Sequence, residues 1–564
     1  MSWPRRHADG LLAAGLGLVV ALTVVINSTG LGLTRDEGYY FDAAERYAGW
    51  FRRLGSDPAR AFGDPVIRRH FEVNREHPVL VKNLMALSYL AFAPGHPNSS
   101  WPPEQRGGYV RAMRLPAALF SALAVVLVYL LGLSLAGRRV GLLAALMFWL
   151  APRHFYHAGL ACLDMPACAT WLLVIYAWRR SRGSLKWSLL TGLFWGLAIS
   201  TKHNGFFLVP VLGLHWLVAE RGSFSFRREG FSLPRIPLAF FAMAVLGPLV
   251  FFLHWPFLWH HTVERLGWYF GFHLHHVNYY WEYFGTLLTD PPFPWLYPFA
   301  VTALTLPAPT LLLGLVGLLA VLGQRLGRPL AALGGWLGRF AGLEARSRPG
   351  PDWCDDRDGW LLLVNAFVPL LVIAVPAVPI FGGMKHWLHA MPFFCLLGAL
   401  ALEHLLRSVL DSEGPRRAAF AVVSALVLLP SVLGLLHVGN YGTSYYNALA
   451  GGIDGAADLG MQRQYWSNDV SGVLDWVNEN APPRARVYLH EVNPECFRTY
   501  QRDGYLRPDL RMGWSPDTAD VFAYQYHREF VDAEYRAWNR LGHSKPAWGL
   551  YLDEVPLLLV YRMR

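Results

Sequence analysis

Residues 115–135 read LPAALFSALAVVLVYLLGLSL, a stretch without one charged side chain. As a helix rising about 1.5 Å per residue it would cover about 30 Å, the hydrocarbon thickness of a bilayer. Comparable runs recur at 237–253, 361–375 and 418–436. The whole chain is 54% hydrophobic and only 16% charged over 564 residues, a balance that excludes an ordinary soluble domain. The first apolar run, 10–33, follows Arg5-Arg6, and its length and the further spans behind it favour a signal anchor over a cleaved signal peptide. Five cysteines (Cys162, Cys168, Cys354, Cys395, Cys496) lack paired spacing, so neither a disulfide framework nor a zinc knuckle is indicated.

Working outward, spans are expected at 10–33, 111–135, 140–158, 164–178, 187–202, 205–219, 236–258, 297–322, 361–380, 386–406 and 418–438, about eleven in all. The basic residues orient them. Arg5-Arg6, Arg138-Arg139, Arg179 to Lys186, Arg221 to Arg235, the arginines between Arg325 and Arg357, and Arg407-Arg416-Arg417 all fall in alternate links, whereas the other links hold little beyond Arg153, Lys202, Arg265 and Lys385. The positive-inside rule then puts the N-terminus in the cytoplasm and 34–110 and 440–564 outside the cytoplasmic (inner) membrane. The net charge of +10 is thereby used in membrane-flanking loops, which argues against a nucleic-acid partner.

The expected fold is mainly α: a polytopic transmembrane helical bundle over 1–439, with interfacial helices in the first external loop, 34–110, and a small extracytoplasmic α/β domain over 440–564. Residues 78–93 are apolar enough to resemble a span, but counting them as one would invert every later loop; they read as a re-entrant or interface-lying helix. Residues 39–54 place Tyr40, Phe41, Ala44, Tyr47, Ala48, Phe51 and Leu54 at helical spacing, which reads as a helix lying on the membrane surface. After 440, Pro482-Pro483 breaks a helix-like stretch, and short apolar runs at 486–489, 548–552 and 556–561 alternate with polar turns.

Chemistry gathers at the expected external ends. Thr34-Arg35-Asp36-Glu37-Gly38-Tyr39-Tyr40 sets two adjacent carboxylates at the bilayer edge, where they are costly unless solvated, paired or used. A helix N-cap explains them equally well. Asp164, in Ala161-Cys162-Leu163-Asp164-Met165-Pro166, opens a span on the same side and has the same two readings. Glu76-His77-Pro78 opens the re-entrant helix; alone it is a solvated turn as readily as a donor or acceptor. Thr201-Lys202-His203-Asn204-Gly205 and Gly382-Gly383-Met384-Lys385-His386 are turns that bring cations to the interface, either to anchor helix ends or to meet a phosphate. The loop 259–296 holds His260, His261, His273, His275 and His276 among Trp259, Trp268, Tyr269, Tyr279, Tyr280 and Trp281. A divalent metal held by Glu76 or His77 with one of the histidines of 260–276 stays open as the one cofactor candidate, although the spacing matches no standard zinc pattern.

An acidic pair after the first span, His-Pro in the same loop, Asp-x-Pro, Thr-Lys-x-x-Gly and a late Gly-x-Lys-His turn together resemble the GT-C superfamily of membrane glycosyltransferases. The resemblance is to glycosyltransferase family 39 and its bacterial relatives of the protein O-mannosyltransferase and lipid A aminoarabinose transferase type. It covers most of the chain and is strongest over 34–210. It implies a sugar donor on a polyprenyl phosphate, transfer outside the cytoplasm and no nucleotide-binding domain. It further implies catalytic roles for Asp36, with Glu37 as its partner and Asp164 as a second acid, and donor-phosphate contacts for Lys385 and His386. Relatives commonly carry Arg where Lys385 stands, and Lys offers a point charge in place of a bidentate fork. Tyr445-Tyr446-Asn447-x-x-Ala450-Gly451-Gly452, with Tyr465-Trp466 further on, also resembles a stretch that follows the last span in relatives.

The expected function is therefore a hexosyl- or pentosyltransferase that moves a sugar from a polyprenyl-phosphate donor to a hydroxyl of a protein, lipid or polysaccharide acceptor. In it Asp36 is the base, Glu37 its support, Asp164 a second acid, and His77, Lys202, His203, Lys385 and His386 bind donor phosphate. Two alternatives stand beside it. One is a metal-assisted transferase that modifies lipid A or polysaccharide. The other is a transporter or flippase for lipid-linked sugars, although the inverted repeats and midplane acids usual in transporters are not visible.

Overall fold

The computed structural model describes residues 3–93, 106–227, 230–232, 234–341 and 354–563. Parts of the expected external loop 34–110 and of the basic linker 323–359, and Arg228, lie outside these residues. Every expected span is helical, and the chain is a multi-pass membrane protein. Among the described residues, five helices are long and apolar enough to cross a membrane by themselves: His7–Ser28, Gly108–Ala136, Ala308–Arg325, Leu388–Val409 and Glu413–Val438. The others are shorter or broken, and the breaks have causes. The span expected at 140–158 divides into Arg138–Trp149 and Pro152–Ala158, and that at 297–322 into Tyr297–Thr305 and Ala308–Ala341. Pro152 opens the second helix of its pair and Pro307 stands in the gap of the other, where a missing N–H is tolerated.

The two ends of the bundle are sorted as the charge pattern requires. At one end the basic residues find acids from distant helices: Arg138 pairs with Asp9, Arg139 with Glu413, Arg179 with Asp358 at 2.6 Å, and Arg221 with Asp356 at 2.7 Å. The residues expected outside gather at the opposite end.

Helix Arg35–Ser56 forms where 39–54 is amphipathic, but its apolar face is not spread on a bilayer. Tyr40, Phe41, Ala44, Tyr47 and Ala48 are buried inside the protein, against Leu80–Phe92 and Pro494–Arg502. The stripe binds protein, because helices from the same loop and from the C-terminal region cover it. Leu80–Phe92 itself has thirteen residues, about 20 Å of helix, too short to cross. Inside it the buried Lys82 ammonium donates to the carbonyls of Asn74 at 2.6 Å and His77 at 2.9 Å, fixing the turn that carries Glu76 and His77.

The C-terminal region builds a five-stranded mixed sheet, in the order Arg511–Met512, Arg486–Leu489, Val521–Gln525, Val555–Arg562, Trp548–Leu552. The first three strands are parallel and the last two antiparallel. The short apolar runs become three of these strands. The central strand, Val521–Gln525, is buried along its whole length, and its Gln525 and mixed pattern hide it from a reading by alternation.

Candidate active site

The first long helix ends at Ser28 and a short turn leads to Thr34, whose extended backbone caps helix Arg35–Ser56. Thr34 Oγ1 accepts from the Glu37 N–H, and Glu37 Oε2 accepts from the Thr34 N–H at 3.0 Å, a reciprocal capping box. Glu37 is further held by Arg114, whose Nε and Nη2 each donate at 2.7 Å in a bidentate pair, and by the Ala161 N–H at 2.7 Å. The pair is 1% and 0% exposed. Arg114 also donates to the carbonyls of Ser28, Leu31 and Gly32. Glu37 therefore joins the end of the first helix, the start of the second and the loop before Asp164, and it does not line the cavity that Asp36 faces. The tightness of this joint requires Gly32, since a Cβ there would stand 1.7 Å from the Asn468 carbonyl oxygen.

Asp36, in the same first turn, faces the other way. It lines a cavity of about 670 Å³ together with Glu76, His77, Asp164, Lys202, His203, Lys385 and His386. Of the anticipated catalytic and phosphate-binding residues, only Glu37 stands outside it. Asp164, buried at the start of helix Asp164–Arg180, accepts from Lys202 Nζ at 2.7 Å, and its second oxygen lies 3.6 Å from His157 Nδ1. Lys385 is delivered by a turn with Gly382 and Gly383 both in the left-handed region, φ +63° and +57°. A Cβ on Gly382 would meet the Lys385 side chain at 2.4 Å, so the glycine makes room for the lysine. Lys385 Nζ lies 3.6 Å from Asp36 Oδ2 and between the rings of Trp466 and Phe381, at 4.2 and 4.7 Å from their centroids. Burial lowers its pKa, against the opposing pull of Asp36 and Asp164. The cavity thus holds two acid–lysine pairs.

The imidazoles add further polar groups. Burial, then Lys82, holds His77 well below its usual pKa, and its Nδ1 has no partner among the described residues. His386 Nε2 is likewise buried without one. His203 stacks on His273 with ring centroids 4.0 Å apart, and burial pushes His273 down to about 3. His273 Nε2 lies 3.0 Å from the Glu76 carbonyl oxygen, and His276 stacks on Phe381. His260 instead meets the Phe62 carbonyl, and His275 that of Gly271. Among the described residues no three His, Cys, Asp or Glu side chains come together as a metal-binding group.

Residues 67–301 match the family model of the dolichyl-phosphate-mannose-protein mannosyltransferases. The matched segment, 235 of the 564 residues, is less than half of the chain. It contains Glu76, His77, Asp164, Lys202 and His203, while Asp36, Lys385 and His386 lie on either side of it and reach the same cavity through the fold. No curated protein sequence matches the chain. Among solved structures, ArnT from Cupriavidus metallidurans bound to undecaprenyl phosphate is 13% identical, with a TM-score of 0.45, covering 98% of this chain and 97% of that one. The Archaeoglobus fulgidus oligosaccharyltransferase in its apo form is 12% identical, with a TM-score of 0.45 over 94% of this chain and 72% of its own. AglB from the same organism, in complex with an inhibitory peptide and a dolichol-phosphate, gives 12% and 0.44 over 96% and 72%. At these values the similarities decide nothing about substrate.

Beyond the matched segment, the C-terminal region completes the cavity wall with Gln462, Tyr465, Trp466, Glu491 and His527. Glu491 accepts from the Tyr280 hydroxyl at 3.0 Å and lies 3.5 Å from Arg35, and His527 is held between Gln462 and Gln464. Sequence reading assigns none of these a role. It misses Arg114 too, although an arginine directly before the apolar run 115–135 is a signal that it has a buried partner.

Proposed function

We propose that the chain transfers a sugar from a polyprenyl-phosphate donor to an acceptor hydroxyl at the outer edge of the membrane. The observation that carries this reading is that Asp36 and Asp164, 128 residues apart in sequence, line one cavity with Lys202 and Lys385. An acid–base reaction that expels a phosphate needs a carboxylate for the incoming proton and cations for the outgoing charge, and both are present. The family match adds support, since its name joins a dolichyl-phosphate sugar to a protein acceptor.

In this scheme Asp36, 33% exposed and open to the cavity, takes the proton of the acceptor hydroxyl as that oxygen forms its bond to the anomeric carbon. The bond from that carbon to the donor phosphate oxygen breaks, and its electron pair stays on the lipid phosphate. Lys385, His386 and Lys202 meet the charge as it develops. Lys385 neutralises Asp36 before the donor arrives and swings toward phosphate when it binds, a movement its flexible stem allows. Asp164 keeps Lys202 aimed into the cavity. His77 and His203 supply neutral hydrogen-bonding groups for the sugar-phosphate. The donor sugar is a hexose or pentose, and the acceptor a protein, lipid or polysaccharide hydroxyl.

The test incubates the purified chain in detergent with radiolabelled polyprenyl-phosphate hexose and pentose donors and follows release of free polyprenyl phosphate. Release matched by sugar on an acceptor supports the reading. In proteoliposomes, movement of the donor between leaflets with no release would contradict it and favour a flippase.

A further inference from the structure

Tyr465-Trp466 follows the last long helix, Glu413–Val438, and reaches back to Arg35, Lys385 and His157, which belong to or adjoin the two acid–lysine pairs. Trp466 does so twice. Its carbonyl accepts from the Arg35 N–H at 3.1 Å, at the residue before Asp36, and its ring lies under the Lys385 ammonium. The neighbouring Tyr465 hydroxyl lies 3.3 Å from His157 Nε2, and the opposite ring nitrogen of His157 faces Asp164 at 3.6 Å. The Trp466 indole also meets the His157 ring edge to face at 5.4 Å.

The backbone here is constrained as well. Trp466 and Ser467 have φ of +72° and +58°, a left-handed conformation that a bulky side chain adopts only where its surroundings impose it. What imposes it is visible on both sides: the Arg35 amide holds the Trp466 carbonyl, and Lys385 and His157 hold its ring.

We propose that Tyr465-Trp466 is a positioning element that keeps the two acid–lysine pairs in register, Trp466 setting Lys385 against Asp36 and Tyr465 setting Asp164 through His157. Its importance for transfer rests on the function proposed above, but the contacts are measurable without any transfer. A segment beyond the membrane helices thereby becomes part of the reacting geometry.

The experiment is competitive acetylation of the full chain in detergent with trace acetic anhydride at one pH, read by peptide mass spectrometry. Exposed Lys545 serves as the internal standard, and Lys82 and Lys202 as local controls. In the unaltered chain Lys385 labels far more slowly than Lys545. Trp466→Leu, which keeps an apolar side chain but removes the π face, is expected to raise Lys385 labelling about two- to fivefold, the size of a lost cation–π contact. Trp466→Phe should keep most of the protection, and Tyr465→Phe should leave Lys385 unchanged while raising the labelling of Lys202. Wild-type labelling of Lys385 in Trp466→Leu overturns the proposal. So does an equal rise at Lys82, Lys202 and Lys385, which marks general loosening of the site. Loss of transfer activity, or its absence in every form, bears on the proposed reaction and leaves this readout intact.

Discussion

Lys385 Nζ lies 3.6 Å from Asp36 Oδ2, so the cation from a late turn and the carboxylate from the first external helix form one ion pair across 349 positions of sequence. At 7% exposure the lysine is held inside the site, with Trp466 and Phe381 on its flanks. A charge held there acts on whatever carries negative charge in the cavity.

Lys385→Met is therefore expected to slow transfer by about 10²–10³-fold, the usual loss when one preorganised donor to developing charge is removed. Lys385→Arg should retain a larger fraction, because the charge survives although its shape changes. Donor turnover measured as polyprenyl phosphate released per minute checks both. Equal activity in Lys385→Met and wild type would remove Lys385 from the reaction.

The Arg114–Glu37 pair yields an expectation about stability. Breaking a buried pair by removing one partner costs about 3–5 kcal/mol, because the other charge stays buried. Glu37→Gln and Arg114→Met should each lower the melting temperature in detergent. The double variant Glu37→Leu/Arg114→Met should lose less than the sum of the two single Leu and Met changes. Strict additivity would mean that the two charges do not stabilise one another.

Asp469 gives a pH dependence. It is fully buried, neither carboxylate oxygen has a partner among the described residues, and burial pushes its pKa up to about 8. In the unfolded chain the same group ionises near about 4. Between those values the folded chain keeps a proton that the unfolded chain has lost, so stability is full at low pH and falls as pH rises through about 8. Melting curves at several pH values should show this decline in wild type. Asp469→Asn should show less of it, and identical curves for the two would contradict the assignment.

Asp164 and Lys202 form a closer pair than Asp36 and Lys385, at 2.7 Å. Asp164→Asn leaves the ammonium without its carboxylate and free to turn away. Transfer should fall at least about tenfold, while Lys202 acetylation rises. Unchanged labelling of Lys202 would show that Asp164 does not hold it.

Much of the site is legible in the amino-acid sequence. Asp36, Asp164, Lys202 and Lys385 each sit at a helix end, and the alternation of basic links assigns all four ends to one side, so a one-dimensional pattern brings them together. The cap reading of the acidic pair is also correct in part, and the structure divides it: Glu37 completes the cap while Asp36 faces the cavity. That division is not legible, because it depends on Arg114, 77 positions away. Trp466, Glu491 and His527 are hidden for the same reason, since only the folding back of the C-terminal region brings them to the cavity. The amphipathic stripe of 39–54 misleads because periodicity reports an apolar face, and protein covers such a face as readily as lipid does.

The most direct test of the proposed reaction is Asp36→Asn in the purified chain, assayed for release of polyprenyl phosphate from a polyprenyl-phosphate sugar in the presence of acceptor. Asparagine keeps the size and loses the base. Transfer is expected to fall by at least about 10²-fold, with the melting temperature within a few degrees of wild type. Transfer at the wild-type rate by a well-folded Asp36→Asn chain would contradict the role of Asp36 as the base.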